Sequence, residues 1–133
     1  MKNAMFLHQL TQDQREAFIC LAHDVVVSDG VLRPGEQMLM DHLRNEINLA
    51  TDFEPHYIPV EGIADIFDNH AARIAVVINL IRLGYADDAF EIEEQFLLQE
   101  ICRQFDIGPD QFSVIENWVR RLISLEKEAR AFM

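Results

Sequence analysis

The chain has 133 residues, half of them apolar, and 23 Asp and Glu against 11 Lys and Arg, for a formal net charge of −12. A domain of about this length buries roughly two-thirds of its unfolded surface, and four prolines and five glycines are too few for a disordered or low-complexity class. So acidic a balance argues against nucleic acid and anionic lipid, which need Lys and Arg facing phosphates, and favours cations or basic protein surfaces as ligands.

Residues 1–8 carry one positive charge but no sustained apolar run and no small-residue cleavage site, so no signal peptide is expected. Thr11 followed three residues later by Gln14 is a capping-box signature, and Phe18, Leu21, Ala22 and Val25 continue it at helical spacing. Ser28-Asp29-Gly30 should stop that helix. Pro34 suits the first position of the next, whose buried stripe is Leu39, Leu43 and Ile47. Residues 48–59, with Asp52, Pro55, His56 and Pro59, read as an irregular connection. A short helix over 60–67 leads to Asp68-Asn69, a plausible cap, and then to Ile74, Val77, Ile78 and Ile81 on one face. The apolar run 74–81, closed by Arg73 and Arg82, is far shorter than the ~20 residues of a membrane span. Residues 92–105 repeat the helical pattern, and Asp106-Ile107-Gly108-Pro109 supplies a Gly-Pro stop. A last helix from about Asp110 should bury Phe112, Ile115, Val119 and Leu122. No segment alternates like a strand. The expected fold is one all-α domain over 1–133: a compact bundle of about six or seven helices, built from two pseudo-symmetric helix-loop-helix units.

The duplication shows most clearly in two acidic loops. An offset of 58 residues places Asp29 on Asp87, Leu32 on Phe90, Glu36 on Glu94, Gln37 on Gln95 and Leu39 on Leu97. The apolar register then continues, with Leu43 on Ile101 and Ile47 on Phe105. Each unit needs its twin to bury its apolar face, so the loops are expected to meet or mirror each other.

Asp29-Gly30 and Glu36 coincide with the latter half of a calcium-binding EF-hand loop. The earlier ligand positions, however, would fall on Val25 and Val27, and in the second copy on Leu83 and Tyr85. Those side chains offer nothing suited to a hard cation. A cation bridging the two loops would need several oxygens at about 2.3 Å, and Asp29, Glu36, Asp87, Asp88, Glu91, Glu93 and Glu94 are candidates to supply them. A structural alternative stays open. With Pro34 in the first helical position Glu36 falls at the third, where a carboxylate accepts from free backbone N–H groups; Glu94 would do the same, and Asp29 suits a turn. Capping leaves Asp88, Glu91 and Glu93 unexplained, and their crowding calls for a cation or a basic partner.

The stretch Ala22-His23-Asp24-Val25-Val26-Val27-Ser28-Asp29-Gly30 through Glu36 resembles the TerB-like tellurite-resistance family. So do Tyr85-Ala86-Asp87-Asp88 through Glu94, and the entry Phe105-Asp106-Ile107-Gly108-Pro109-Asp110-Gln111-Phe112 to the last helix. The resemblance implies an all-α fold of two related helical units, a bacterial cytoplasmic setting, a role in tellurite or other chemical stress, and a metal-binding or partner-binding surface at the acidic loops. Asp29, Glu36, Asp87 and Glu94 match its acidic motif by position. This chain departs from the family at Arg33-Pro34-Gly35, where a small capping residue and further acids are usual, and at Asp88, where a glycine is usual.

No GxSxG, GxGxxG, P-loop, HExxH, CxxC or Glu-x-x-His pattern is present. His23, His56 and Tyr57 read as packing or exposed side chains, and Cys20 and Cys102 as core thiols of a reducing cytoplasm. Arg120, Arg121, Lys127 and Arg130, interleaved with Glu116, Glu126 and Glu128, read as a solvated helix face. Trp118 belongs to core or rim, or to a homodimer interface if exposed. The sequence thus points to a non-enzymatic cytoplasmic stress-response module. Asp29, Glu36, Asp87, Asp88 and Glu94 would bind a divalent cation, or a basic surface of another stress-response protein. A purely protein-interaction domain with structural loops is the alternative, and a carboxylate-dependent hydrolase a more distant one.

Overall fold

The computed structural model describes residues 6–28, 30, 33–49, 53–86 and 90–133. A 3-10 turn, Leu7–Gln9, precedes six helices: α1 Gln12–Val26, α2 Pro34–Glu46, α3 Ile63–Ile66, α4 His70–Gly84, α5 Ile92–Gln104 and α6 Pro109–Ala131. The fold is all-helical, with no strand among the described residues. None of these helices is long and apolar enough to cross a membrane.

Local chemistry sets most helix starts. The Thr11 hydroxyl accepts from the Gln14 N–H at 3.2 Å while the Gln14 side chain accepts from the Thr11 N–H at 3.0 Å, the reciprocal box expected from the sequence. Asn69 caps α4 by accepting from the Ala72 N–H at 2.9 Å. Pro34 and Pro109 open α2 and α6, where a missing N–H loses no helical bond.

The helix ends follow one design twice. Asn48 (φ 58°) and Asp106 (φ 59°) adopt the left-handed conformation just past α2 and α5. The next N–H then turns back, Leu49 to the Arg44 carbonyl at 3.1 Å and Ile107 to the Cys102 carbonyl at 2.9 Å. The expected Gly-Pro stop after α5 is therefore corrected: Asp106 ends the helix, whereas Gly108, with an ordinary φ of −74°, is already the residue that caps α6.

The same offset of 58 relates the element bounds. It carries α1 onto α4, both of 15 residues, and α2 onto α5, both of 13. The burial patterns differ. α4 was expected to bury one face, but Ala72, Ala75–Ile81, Leu83 and Gly84 are all buried, because α1, α2, α5 and α6 each pack against it. Leu39, expected in the buried stripe of α2, is only half-buried, and Met40 is buried instead.

Two aromatic contacts fix the second half. Phe67 meets Phe105 edge to face at 5.7 Å, with the Arg73 guanidinium 5.8 Å over the Phe105 ring. Phe90 packs edge to face on Tyr85 at 5.1 Å and lies so close to Gly84 that a Cβ there would stand 2.8 Å from the ring. Gly84 thus leaves room for the Phe90 ring against the end of α4, immediately before Glu91.

Candidate functional site

The two acidic loops arrive at α2 and α5 through Arg33 and Glu91, the residues immediately before each helix. These two positions are themselves equivalent under the 58-residue offset and carry opposite charge. Arg33 Nη2 lies 3.3 Å from Glu91 Oε1, an ion pair that ties the first turns of α2 and α5 together. The two loops thus end at one corner.

Behind the pair lie two buried carboxylates. Glu36 is 1 % exposed and its Oε1 accepts from the Arg33 N–H at 3.1 Å; Glu94 is 0 % exposed and its Oε1 accepts from the Glu91 N–H at 3.0 Å. Each sits at the third position of its helix, where free N–H groups and the positive end of the helix dipole favour an anion by roughly 0.3–1 kcal/mol. This is the capping geometry weighed from the sequence. In α2 only that half of a capping box exists, since a guanidinium has no acceptor to offer the Glu36 N–H.

Among the proposed ligands, Glu36 and Glu94 each accept from the backbone N–H of one member of the Arg33–Glu91 pair, while Asp29, Asp87 and Asp88 lie outside the described residues. Gly30, next to Asp29, has φ +83°, which an L side chain rarely adopts, so the turn that follows Asp29 needs its glycine. Among the described residues no three His, Cys, Asp or Glu side chains converge as metal ligands do. The donors available at the corner are hard carboxylate oxygens, which suit calcium, magnesium or manganese better than thiophilic metals. Arg33 and Glu91 are the contact that sequence reasoning missed. Its signal was available, as opposite charges at the very offset that pairs Asp29 with Asp87.

The histidine and cysteine candidates lie elsewhere. Residues 53–59 cross α1, where the Asp24 carboxylate accepts from the Ile58 N–H at 3.4 Å and Cys20 Sγ lies 3.6 Å from His56 Nδ1. Burial pushes the Asp24 carboxyl up, against the opposing pull of the Ile58 N–H and of His23 and His56. Burial likewise raises the Cys20 thiol, and takes Cys102 up to about 12, so both are buried neutral thiols near pH 7. His56 and Tyr57 are exposed, as expected. A cavity of about 620 Å³ between α5 and the start of α6 is lined by Cys102, Arg103, Asp106, Phe112 and Glu116 among others, and by neither of the described proposed ligands, Glu36 and Glu94.

Residues 56–117 match the family model described as Tellurite resistance protein TerB. The matched stretch runs from the connection before α3 into α6 and contains the second helix pair with its acidic loop; α1, α2 and the first loop lie outside it. No curated protein and no solved structure matches the chain. Through residues 56–117, just under half its length, this all-helical chain is similar to the TerB family of tellurite-resistance proteins.

Proposed function

We propose that this protein is a non-enzymatic, cytoplasmic stress-response module whose acidic corner is its binding site. Asp29, Glu36, Asp87, Asp88 and Glu94 bind a divalent cation there, or the basic surface of a partner. The observation that carries this reading is the Arg33–Glu91 pair, which joins the ends of two acidic loops that are distant in sequence. A cation held between the loops neutralises carboxylates that otherwise repel. It also fixes how one helix pair sits against the other, and so which faces are offered to partners. Binding to the folded state alone stabilises it by mass action, about 2.7 kcal/mol at a hundredfold excess over Kd. Thermal unfolding with calcium, magnesium, manganese or zinc is the test. The expected result is a rise of several degrees with at least one of the four, abolished in Asp29→Asn/Asp87→Asn. No rise with any of them removes the cation from the reading.

A second reading, a protein-interaction domain whose loops are structural, is favoured by α6. Val114 (70 % exposed), Trp118 (38 %) and Leu125 (60 %) lie along its solvent side, the arrangement expected of a face that pairs with another helix. Partner capture that survives Asp29→Asn/Asp87→Asn/Glu94→Gln would favour it.

A further inference from the structure

The acidic corner also carries apolar side chains that the core does not use. On α2 these are Pro34 and Met38, on α5 Ile92 and Phe96, the same two register positions in each helix. Residues four apart lie one turn above another on a helix face. The inward face of α2 is taken by Glu36, Met40 and Leu43, and that of α5 by Glu94, Leu98 and Ile101. The four apolar residues face outward: Met38 is 72 % exposed, Ile92 60 % and Phe96 62 %, and Pro34 is exposed as well. A single exposed apolar residue is ordinary. Here the same pair is repeated on two helices whose first turns are joined by the Arg33–Glu91 ion pair. Exposed Asp41 and Glu93 stand beside these residues, with the half-exposed Glu91 at the joint.

We propose that Pro34, Met38, Ile92 and Phe96, rimmed by Asp41 and Glu93, form a docking surface for a basic amphipathic segment of a partner protein. Charge complementarity selects that occupant. Apolar anchors on the segment cover Phe96 and the adaptable thioether of Met38, while its Lys or Arg meet the carboxylate rim and lose least by approaching a body of net charge −12. A second copy of the chain would bring the same negative charge to the rim. The inference rests on the reading of this corner as the binding site, and it supplies the partner's chemistry.

The test uses fluorescein-labelled synthetic peptides, one of leucine and lysine at helical spacing and one in which glutamate replaces every lysine, titrated by anisotropy near physiological salt. The 133-residue chain is expected to bind the leucine–lysine peptide and not the leucine–glutamate one. Met38→Ser/Phe96→Ser should weaken binding at least tenfold at an unchanged melting temperature, since both side chains are exposed. Unchanged affinity in that variant, absence of binding by the wild type, or equal binding of both peptides would overturn the proposal. The cation response separates the two readings. A variant that keeps its peptide affinity and its cation-induced stabilisation defeats the docking surface alone. Peptide binding that depends on Met38 and Phe96, in a protein that no cation stabilises, upholds the docking surface and defeats the cation site.

Discussion

Asp24 shows how a single side chain can work against the fold that holds it. Its carboxyl is raised above the ordinary 3.8, chiefly by burial, so the folded protein holds that proton more tightly than the unfolded chain does. The linkage sign follows. Ionisation of Asp24 opposes folding once the pH passes the unfolded value, and the effect is complete above the folded one. Asp24→Asn retains an oxygen to accept from the Ile58 N–H and removes the charge. The variant should therefore melt higher than wild type at pH 7, and the gap should close as the pH falls towards 3.8. A gap of equal size at both pH values, or a less stable variant at pH 7, would contradict this account.

At the scale of elements, the helix ends are best probed where sequence and structure disagree. Asp106 holds φ 59° and Gly108 does not need to be glycine, having an ordinary φ and open space where a Cβ would go. Asp106→Gly should leave the melting temperature unchanged or raise it, whereas Gly108→Ala should be nearly neutral and Asp106→Val should lose about 1 kcal/mol in urea unfolding. Loss of stability confined to Gly108→Ala would restore the Gly-Pro stop. What was legible here was local. Thr11 with Gln14, Asn69, Pro34 and the third-position glutamates could be read because a cap involves residues three or four apart. The end of α5 is less legible, because Gly108 and Pro109 signal a boundary without saying which side they serve. The all-round burial of α4 was not legible either, since Ala72 and Ala75 enter a core only when other helices arrive on those sides.

For the whole molecule, the defining contact at the corner is only half legible in the sequence, since the repeat pairs Arg33 with Glu91, opposite in charge, without saying that they touch. The offset of 58 predicted that the loops correspond, but nothing in either loop by itself states that Arg33 reaches Glu91. The pair is about one-third exposed on each side, so its own contribution to stability is small, roughly 0–1 kcal/mol and reduced by salt. Arg33→Ala should accordingly change urea unfolding by less than about 1 kcal/mol. It should also enlarge the stabilisation gained from divalent cations, because a positive charge beside the proposed site, which repels a cation, is gone. A smaller cation effect in Arg33→Ala would mean that the arginine organises the site instead of opposing its ion.

The burial of α4 on every side has a consequence for how the chain loses its structure. Both halves of the sequence cover that one helix, so neither can depart without wetting a core the other still requires. Melting should then be cooperative, a single step with coincident midpoints for every probe, however independent the two repeated segments look on paper.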